Sequence, residues 1–291
     1  MKTQLIWVTG AGGLIGSWLL KTAPKRLGEV IGLTRAQLDL TDGPAVRAAF
    51  ERRRPGLIIH CAALSRSPVC ESDPPLARKL NVEVTARLAE LAIDIPFVFF
   101  STDLVFDGRK GNYDESAEVN PLSVYAETKV EAEQIVLANS AHTVIRTSLN
   151  CGTSPAGDRG LDEQLCQAWR AGKVLRLFTD EFRCPIPAEV TARGVWELAF
   201  QRQAGLFHLA GSERLSRWQI GQLVASRCPD LNPKLEPASA MEYSGPPRPA
   251  DTSLSCRKAQ KLLSFRLPGL TEWFATQCGR PRSAQETTKR Q

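Results

Sequence analysis

Apolar positions along the chain fall into two alternating periods. Leu5-Ile6-Trp7-Val8 is a continuous apolar run ending in a Gly-rich turn, and Leu14 to Leu20 then carries helical spacing, which predicts strand, turn and helix. Val30-Ile31-Gly32-Leu33 reads as a second strand, Pro44 to Arg54 as an amphipathic helix opened by Thr41-Asp42, and Leu57-Ile58-Ile59-His60 as a third strand. Leu76 to Ile93 has apolar residues at 80, 84, 88, 91 and 92, the spacing of one long helix, and Phe97-Val98-Phe99-Phe100 follows as a strand. Val124 to Ala138 and Thr143-Val144-Ile145 repeat the alternation. Strands apolar at every position are buried on both faces, so the pattern predicts a doubly wound α/β domain, a Rossmann-like parallel sheet, over residues 1–150.

Beyond residue 150 the regularity weakens. Helices are expected at Leu161–Arg170, Thr191–Gln201, Ser216–Ser226 and Ser255–Leu263, with a strand at Val174–Phe178 and Pro-bearing loops such as Ser244–Pro249. This predicts a smaller, mostly helical substrate-binding region over 151–278, some segments of which return to the first domain. Residues 279–291 lack apolar periodicity and read as a disordered basic tail. Met1-Lys2 and the apolar stretch that follows mimic a secretory leader, but Gly10, Gly12, Gly13 and Gly16 interrupt it. No uninterrupted apolar run of about 18 residues occurs, so no membrane span is expected.

Composition narrows the classes further. With 43% apolar and 23% charged residues, disorder and coiled coil are excluded as descriptions of the whole 291-residue chain. The eight cysteines form no CxxC pair and no cluster with His, so neither zinc nor a disulfide framework is indicated, and the cytoplasm is the expected compartment. The net charge of +6 suggests an anionic partner. The basic residues form no aromatic-interleaved stripe, which argues for a small anionic molecule rather than nucleic acid.

Candidate chemistry begins at Thr9-Gly10-Ala11-Gly12-Gly13-Leu14-Ile15-Gly16, a TGxxGxxG turn between strand and helix. Glycine there lets the backbone approach a pyrophosphate while the helix N-terminus offers amides and partial positive charge, so Gly10, Gly12, Gly13, Leu14, Ile15 and Gly16 are expected to bind a dinucleotide. Where an NAD site places a carboxylate after the second strand, this chain has Leu33-Thr34-Arg35. Arg35 suits a 2′-phosphate, so NADP(H) is favoured over NAD(H), with Asp39 and Leu40 beside the adenine. Tyr125 and Lys129 stand at i and i+4 on a helix, and Ser101-Thr102-Asp103 ends a strand, where a parallel sheet opens its ligand crevice.

The glycine turn, the strand-end hydroxyls and the YxxxK helix resemble the extended short-chain dehydrogenase/reductase superfamily. Ser101-Thr102-Asp103-Leu104-Val105-Phe106-Asp107-Gly108, then Tyr113-Asp114-Glu115, then Asn120-Pro121-Leu122-Ser123-Val124-Tyr125 are similar to the dTDP-4-dehydrorhamnose reductase family in particular. Arg183-Cys184-Pro185 and Arg248-Pro249-Ala250-Asp251-Thr252-Ser253-Leu254 extend the likeness over about residues 3 to 275. The resemblance implies hydride transfer between nicotinamide and the 4-keto group of a nucleotide sugar. In that scheme Tyr125 is the proton donor, Lys129 lowers its pKa, and Thr102 or Ser101 holds the carbonyl oxygen. Cys61, Ala62, Ala63 and Asn81 would join Tyr125 and Lys129 around the cofactor, Asn81 as a member of a proton relay. Ser101, Thr102, Asp103, Leu104, Tyr125, Asn150, Arg183 and Arg248 would contact substrate, the two arginines at its phosphates. Related reductases can dimerise, sometimes with Mg²⁺ at the contact, but this sequence shows no acidic cluster to hold a metal; none is expected, and the chain is expected to be a monomer or homodimer.

The departures from the family pattern bear on specificity. Leu104 stands where reductases carry Tyr and related 4,6-dehydratases carry Glu, which disfavours dehydration. His60-Cys61-Ala62-Ala63-Leu64 replaces an Asn-Ala-Ala run, and Asn150-Cys151 an aromatic pair. Two other outcomes fit the same residues: an epimerase or reductase of a non-nucleotide ketone, and a non-catalytic NADP-binding subunit, as in the regulatory subunit of methionine adenosyltransferase.

Overall fold

The apolar runs of the first half become strands of one parallel sheet in the computed structural model, which describes residues 5–25 and 28–277. In chain order these are β1 (Ile6–Thr9), α1 (Leu14–Lys21), β2 (Val30–Leu33), α2 (Gly43–Arg52) and β3 (Leu57–His60). There follow α3 (Ser67–Ser72), α4 (Pro74–Arg78), α5 (Val84–Leu91), β4 (Phe97–Thr102), α6 (Val124–Leu137) and β5 (Thr143–Thr147). The six-stranded sheet has the order β10-β5-β4-β3-β1-β2, reversing direction on either side of β1. Its sixth strand, β10 (Gly205–Leu209), comes from the second half of the chain and pairs in parallel with β5, Phe207 opposite Ile145.

Each face of the sheet carries its own core. Val8, Ile59, Val98 and Phe100 pack with Trp196 and Leu198, whereas Trp7, Ile58, Phe97 and Phe99 pack with Leu88, Ala132 and Val136. The alternation of strand side chains between these two cores is the reason the runs are apolar at every position.

The second half contributes β6 (Asn150–Cys151), α7 (Leu161–Arg170), β7 (Val174–Phe178), β8 (Phe182–Arg183), β9 (Ile186–Pro187) and α8 (Ala188–Phe200). After β10 come β11 (Leu215–Ser216), α9 (Arg217–Ala225), β12 (Lys234–Ala238), α10 (Arg257–Gln260) and α11 (Leu270–Thr276). Helix α8 packs on α1 and its Trp196 Nε1 donates to the Leu19 carbonyl, so this segment belongs physically to the sheet domain. A separate apolar cluster of Leu161, Leu165, Trp169, Leu215, Ile220 and Val224 holds the second lobe together.

Two expected helices take a different form. The stretch 76–93 is broken by a π-helical turn at Lys79–Glu83, which rotates both Asn81 and Val82 into the interior. The expected helix Ser255–Leu263 shrinks to Arg257–Gln260 because Leu254 bridges to Tyr113 and the Ser255 amide donates to the Tyr113 carbonyl. The basic tail expected at 279–291 lies outside the described residues. Among the described residues no helix is long and apolar enough to cross a membrane.

Candidate functional site

A cleft of about 1060 Å³ runs along the carboxyl ends of the strands, from the glycine turn to the loop around Arg248. Gly10, Gly12, Gly13, Leu14, Ile15 and Gly16 all line it, and two of the glycines, Gly10 and Gly16, are required sterically. Gly10 has φ +66°, and a Cβ on it would lie 2.7 Å from the Ala62 nitrogen; one on Gly16 would lie 2.4 Å from the Gly10 oxygen. The turn therefore seats α1 directly against the β3 end, its first-turn amides open to the cleft.

The other expected cofactor residues fall around this turn. Cys61, Ala62 and Ala63 form the wall facing Gly10, and Leu40 lines the outer rim. Arg35 lies at that rim with its side chain 86% exposed and its Nε 3.7 Å from Asp39. The Asp39 carboxylate accepts from both the amide and the hydroxyl of Thr41, bonds that hold its pKa below the usual range. His60 does not reach the cleft. Thr85 gives its single proton to the Asn81 carbonyl, so it accepts from His60 Nε2 at 3.2 Å, and His60 Nδ1 then accepts from Thr9 at 2.7 Å. Burial, with Lys129 nearby, pushes the imidazole pKa down to about 3 and keeps it neutral.

Asn81 is not among the residues that line the cleft but lies behind its wall. Its side chain is buried, accepting from the Leu64 amide at 2.8 Å and donating to the Leu64 carbonyl and to Thr128 Oγ1. Thr128 in turn donates to the Tyr125 carbonyl. The extra residue of the π turn is what brings Asn81 to face both the β3 loop and α6. Helix α6 starts where it does because Ser123 caps the Ala126 amide and Glu71 accepts from the Val124 amide.

Tyr125 and Lys129, one turn apart on α6, both line the cleft beside Ser101 and Thr102 at the end of β4. Lys129 Nζ sits 3.9 Å from the centroid of Phe99, and burial lowers its pKa to about 7 against the opposing pull of Glu133. Glu133 is itself locked to the buried Arg146, whose Nε and Nη2 both donate to it. Burial, then the Asp103 carboxylate, push the Tyr125 phenol above its ordinary pKa. Thr102 Oγ1 donates to Asp103 at 3.2 Å and accepts from the Leu104 amide, whereas the buried Ser101 hydroxyl has no hydrogen-bond partner among the described residues.

The substrate-side expectations divide. Leu104 and Asn150 line the cleft, but the Asn150 amide is spent on Thr147, the Ser148 carbonyl and Thr191. Asp103 does not line it: the side chain is wholly buried and bound by Arg183, Ser148, Thr252 and Thr102. It is corrected to the pin that joins the two lobes, because an ionised carboxylate in the interior needs this many donors. Arg183 reaches the cleft wall, yet its Nε and Nη2 are committed to Asp103, the first at 2.6 Å. Arg248 also lines the cleft and donates through two nitrogens to Glu181, at 2.6 and 3.0 Å.

Glu181, Arg217 and Tyr243 line the same end and were not singled out in the sequence. The one available signal was the Ser216-to-Gln219 capping box, which marks the start of α9 and so places Arg217 in its first turn.

Comparison with known proteins agrees with this architecture. The RmlD substrate binding domain family matches residues 3–276. A dTDP-4-dehydrorhamnose reductase of Sinorhizobium fredii is 31% identical over 280 residues, spanning 91% of this chain and 93% of its own. Methionine adenosyltransferase 2 subunit beta of Xenopus laevis is 28% identical over 88% of this chain and 81% of its own. The crystal structure of a dTDP-4-dehydrorhamnose reductase from Clostridium acetobutylicum superposes with a TM-score of 0.83 at 27% identity, covering 94% of this chain and 99% of the other. With the glycine turn, the strand-end hydroxyls and the Tyr125–Lys129 pair all at one cleft, the chain belongs to the RmlD substrate binding domain family, the dTDP-4-dehydrorhamnose reductase-like group of extended short-chain dehydrogenases/reductases.

Proposed function

We propose that this protein is an NADP(H)-dependent reductase of a 4-keto nucleotide sugar, working in the cytoplasm as a monomer or homodimer. The observation that carries the reading is the meeting of Thr102, Tyr125 and Lys129 with the glycine turn in one cleft. A dinucleotide fits the turn because Gly10 and Gly16 let its backbone pack tightly against the end of β3, while Gly12 faces open cleft, with only Thr34 Cγ2 within 4 Å of where a Cβ would stand. Arg35 stands on the rim to take a 2′-phosphate, which is the basis for preferring NADP(H) to NAD(H).

When bound, the nicotinamide supplies or accepts the hydride. The residues of this chain handle the proton. Tyr125, held protonated by burial, donates its phenolic proton to the carbonyl oxygen as that oxygen becomes an alkoxide. Lys129, one helical turn away, stabilises the phenolate left behind. Thr102, held beside Tyr125 by Asp103 and the Leu104 amide, is the hydroxyl that turns to the carbonyl oxygen, since the Ser101 hydroxyl is buried away from the cleft. Leu104 offers no proton-abstracting group, so reduction rather than dehydration follows.

The test is NADPH oxidation with dTDP-, UDP- and GDP-4-keto sugars, using wild type and Tyr125→Phe. Loss of about 10²-fold or more in kcat with unchanged NADPH affinity is expected, as for removal of a general acid. Full turnover by the variant refutes the assignment. The likeness to methionine adenosyltransferase 2 subunit beta favours one second reading, a non-catalytic NADP-binding subunit. That reading prevails if NADPH binds tightly and no keto sugar is reduced.

A further inference from the structure

Three guanidinium groups surround Glu181 at this end of the cleft, Arg183, Arg217 and Arg248, and Arg217 alone of them has no carboxylate of the described residues within ion-pair distance. Arg183 holds Asp103 and Arg248 holds Glu181. Arg217, the first residue of α9, makes no side-chain hydrogen bond or ion pair with any described residue; only its backbone amide is used, donating to the Glu181 carbonyl at 2.9 Å. Glu181 is 1% exposed and has both oxygens on Arg248, so it cannot serve Arg217 as well as it serves its partner.

Glu181, whose two oxygens are spent on Arg248, offsets the charge of the half-buried Arg217 only in part, and no carboxylate among the described residues pairs with it directly. Such a charge costs free energy unless something pairs with it. The guanidinium reflects that cost: burial, offset in part by Glu181, and the like charges of Arg183 and Arg248 bring its pKa down to about 10.

Resting on the nucleotide-sugar reading above, we propose that Arg217 is the residue that anchors the substrate's diphosphate, its planar fork taking two oxygens of one phosphate. Of the two paired arginines, Arg183 has 6% of its side chain exposed and stays on Asp103. Arg248 has 34% exposed and is the one able to swing from Glu181 to the second phosphate. The arginines that stand out in the sequence thus frame the site, and the unremarked one does the binding.

The experiment is calorimetric titration of wild type, Arg217→Gln and Arg217→Lys with dTDP, UDP, inorganic pyrophosphate and glucuronate, with NADPH titrated in parallel. Arg217→Gln should bind the nucleoside diphosphates at least about tenfold more weakly, as expected for loss of a charge-assisted pair, with Arg217→Lys intermediate and NADPH affinity unchanged. The unliganded Arg217→Gln protein should melt no lower than wild type, because an unmatched charge has been removed. Equal diphosphate affinity in wild type and Arg217→Gln overturns this inference and leaves the reductase reading standing. Arg217-dependent binding of glucuronate without diphosphate binding overturns the phosphate assignment, and wild type that binds none of these anions overturns the inference and the nucleotide-sugar reading together.

Discussion

Replacing Asp103 by Asn keeps its shape and removes its charge, and the structure makes the consequence calculable. Asp103 is wholly buried and accepts from Arg183, Ser148 and Thr252, while Arg183 has 6% of its side chain exposed. The substitution strands the guanidinium, whose remaining carboxylate, Glu181, lies 3.8 Å away and is already held by Arg248. Removing one partner of such a pair costs about 3–5 kcal/mol, because a charge is left buried without its counter-charge. At roughly 2–4 °C per kcal/mol for a chain of this size, that is a fall in Tm on the order of 10 °C. Urea unfolding of wild type, Asp103→Asn, Asp103→Leu, Arg183→Met and the double variant Asp103→Leu/Arg183→Met would measure it. The double variant should lose much less than the sum of the single changes, since apolar groups can replace a buried pair at little cost. If Asp103→Asn cost under about 1 kcal/mol, or the single losses simply added, the pin between the lobes would be refuted and Asp103 would return to the substrate side.

Two further outcomes follow from the cofactor end. Lys129 has its native pKa lowered to about 7, so between that value and about 10.4 the unfolded chain binds the extra proton and stability rises with pH. The Tm of unliganded wild type minus that of Lys129→Met should therefore increase from pH 7 to pH 9, and a flat difference would rule out the lowered pKa. Arg35→Ala should weaken NADPH by about tenfold or more, the loss of a charge-assisted contact, and leave NADH unchanged; parallel fluorescence titrations that fall equally would exclude the 2′-phosphate role.

The legibility of this site follows the range of the forces that build it. The Gly10–Gly16 turn was readable because its requirement is local: φ +66° at Gly10 and the contact of Gly16 with the Gly10 oxygen are set within a few residues. The Tyr125–Lys129 pair was readable because helical spacing puts i and i+4 on one face. The surroundings of Asn81 were not readable because a π turn, which the apolar spacing of 76–93 does not signal, changed the face it presents.

The chain's own pattern thus determined a parallel sheet buried on both faces, the dinucleotide turn and the helix carrying Tyr125 and Lys129, since periodicity and backbone sterics are properties of neighbouring residues. Only the tertiary structure decided the charge pairing. Asp103 meets Arg183 across 80 positions and Glu181 meets Arg248 across 67, and no local pattern records which guanidinium finds a carboxylate. The positive charge legible in the composition therefore acquires a specific place, Arg217, only when the fold has consumed the other two.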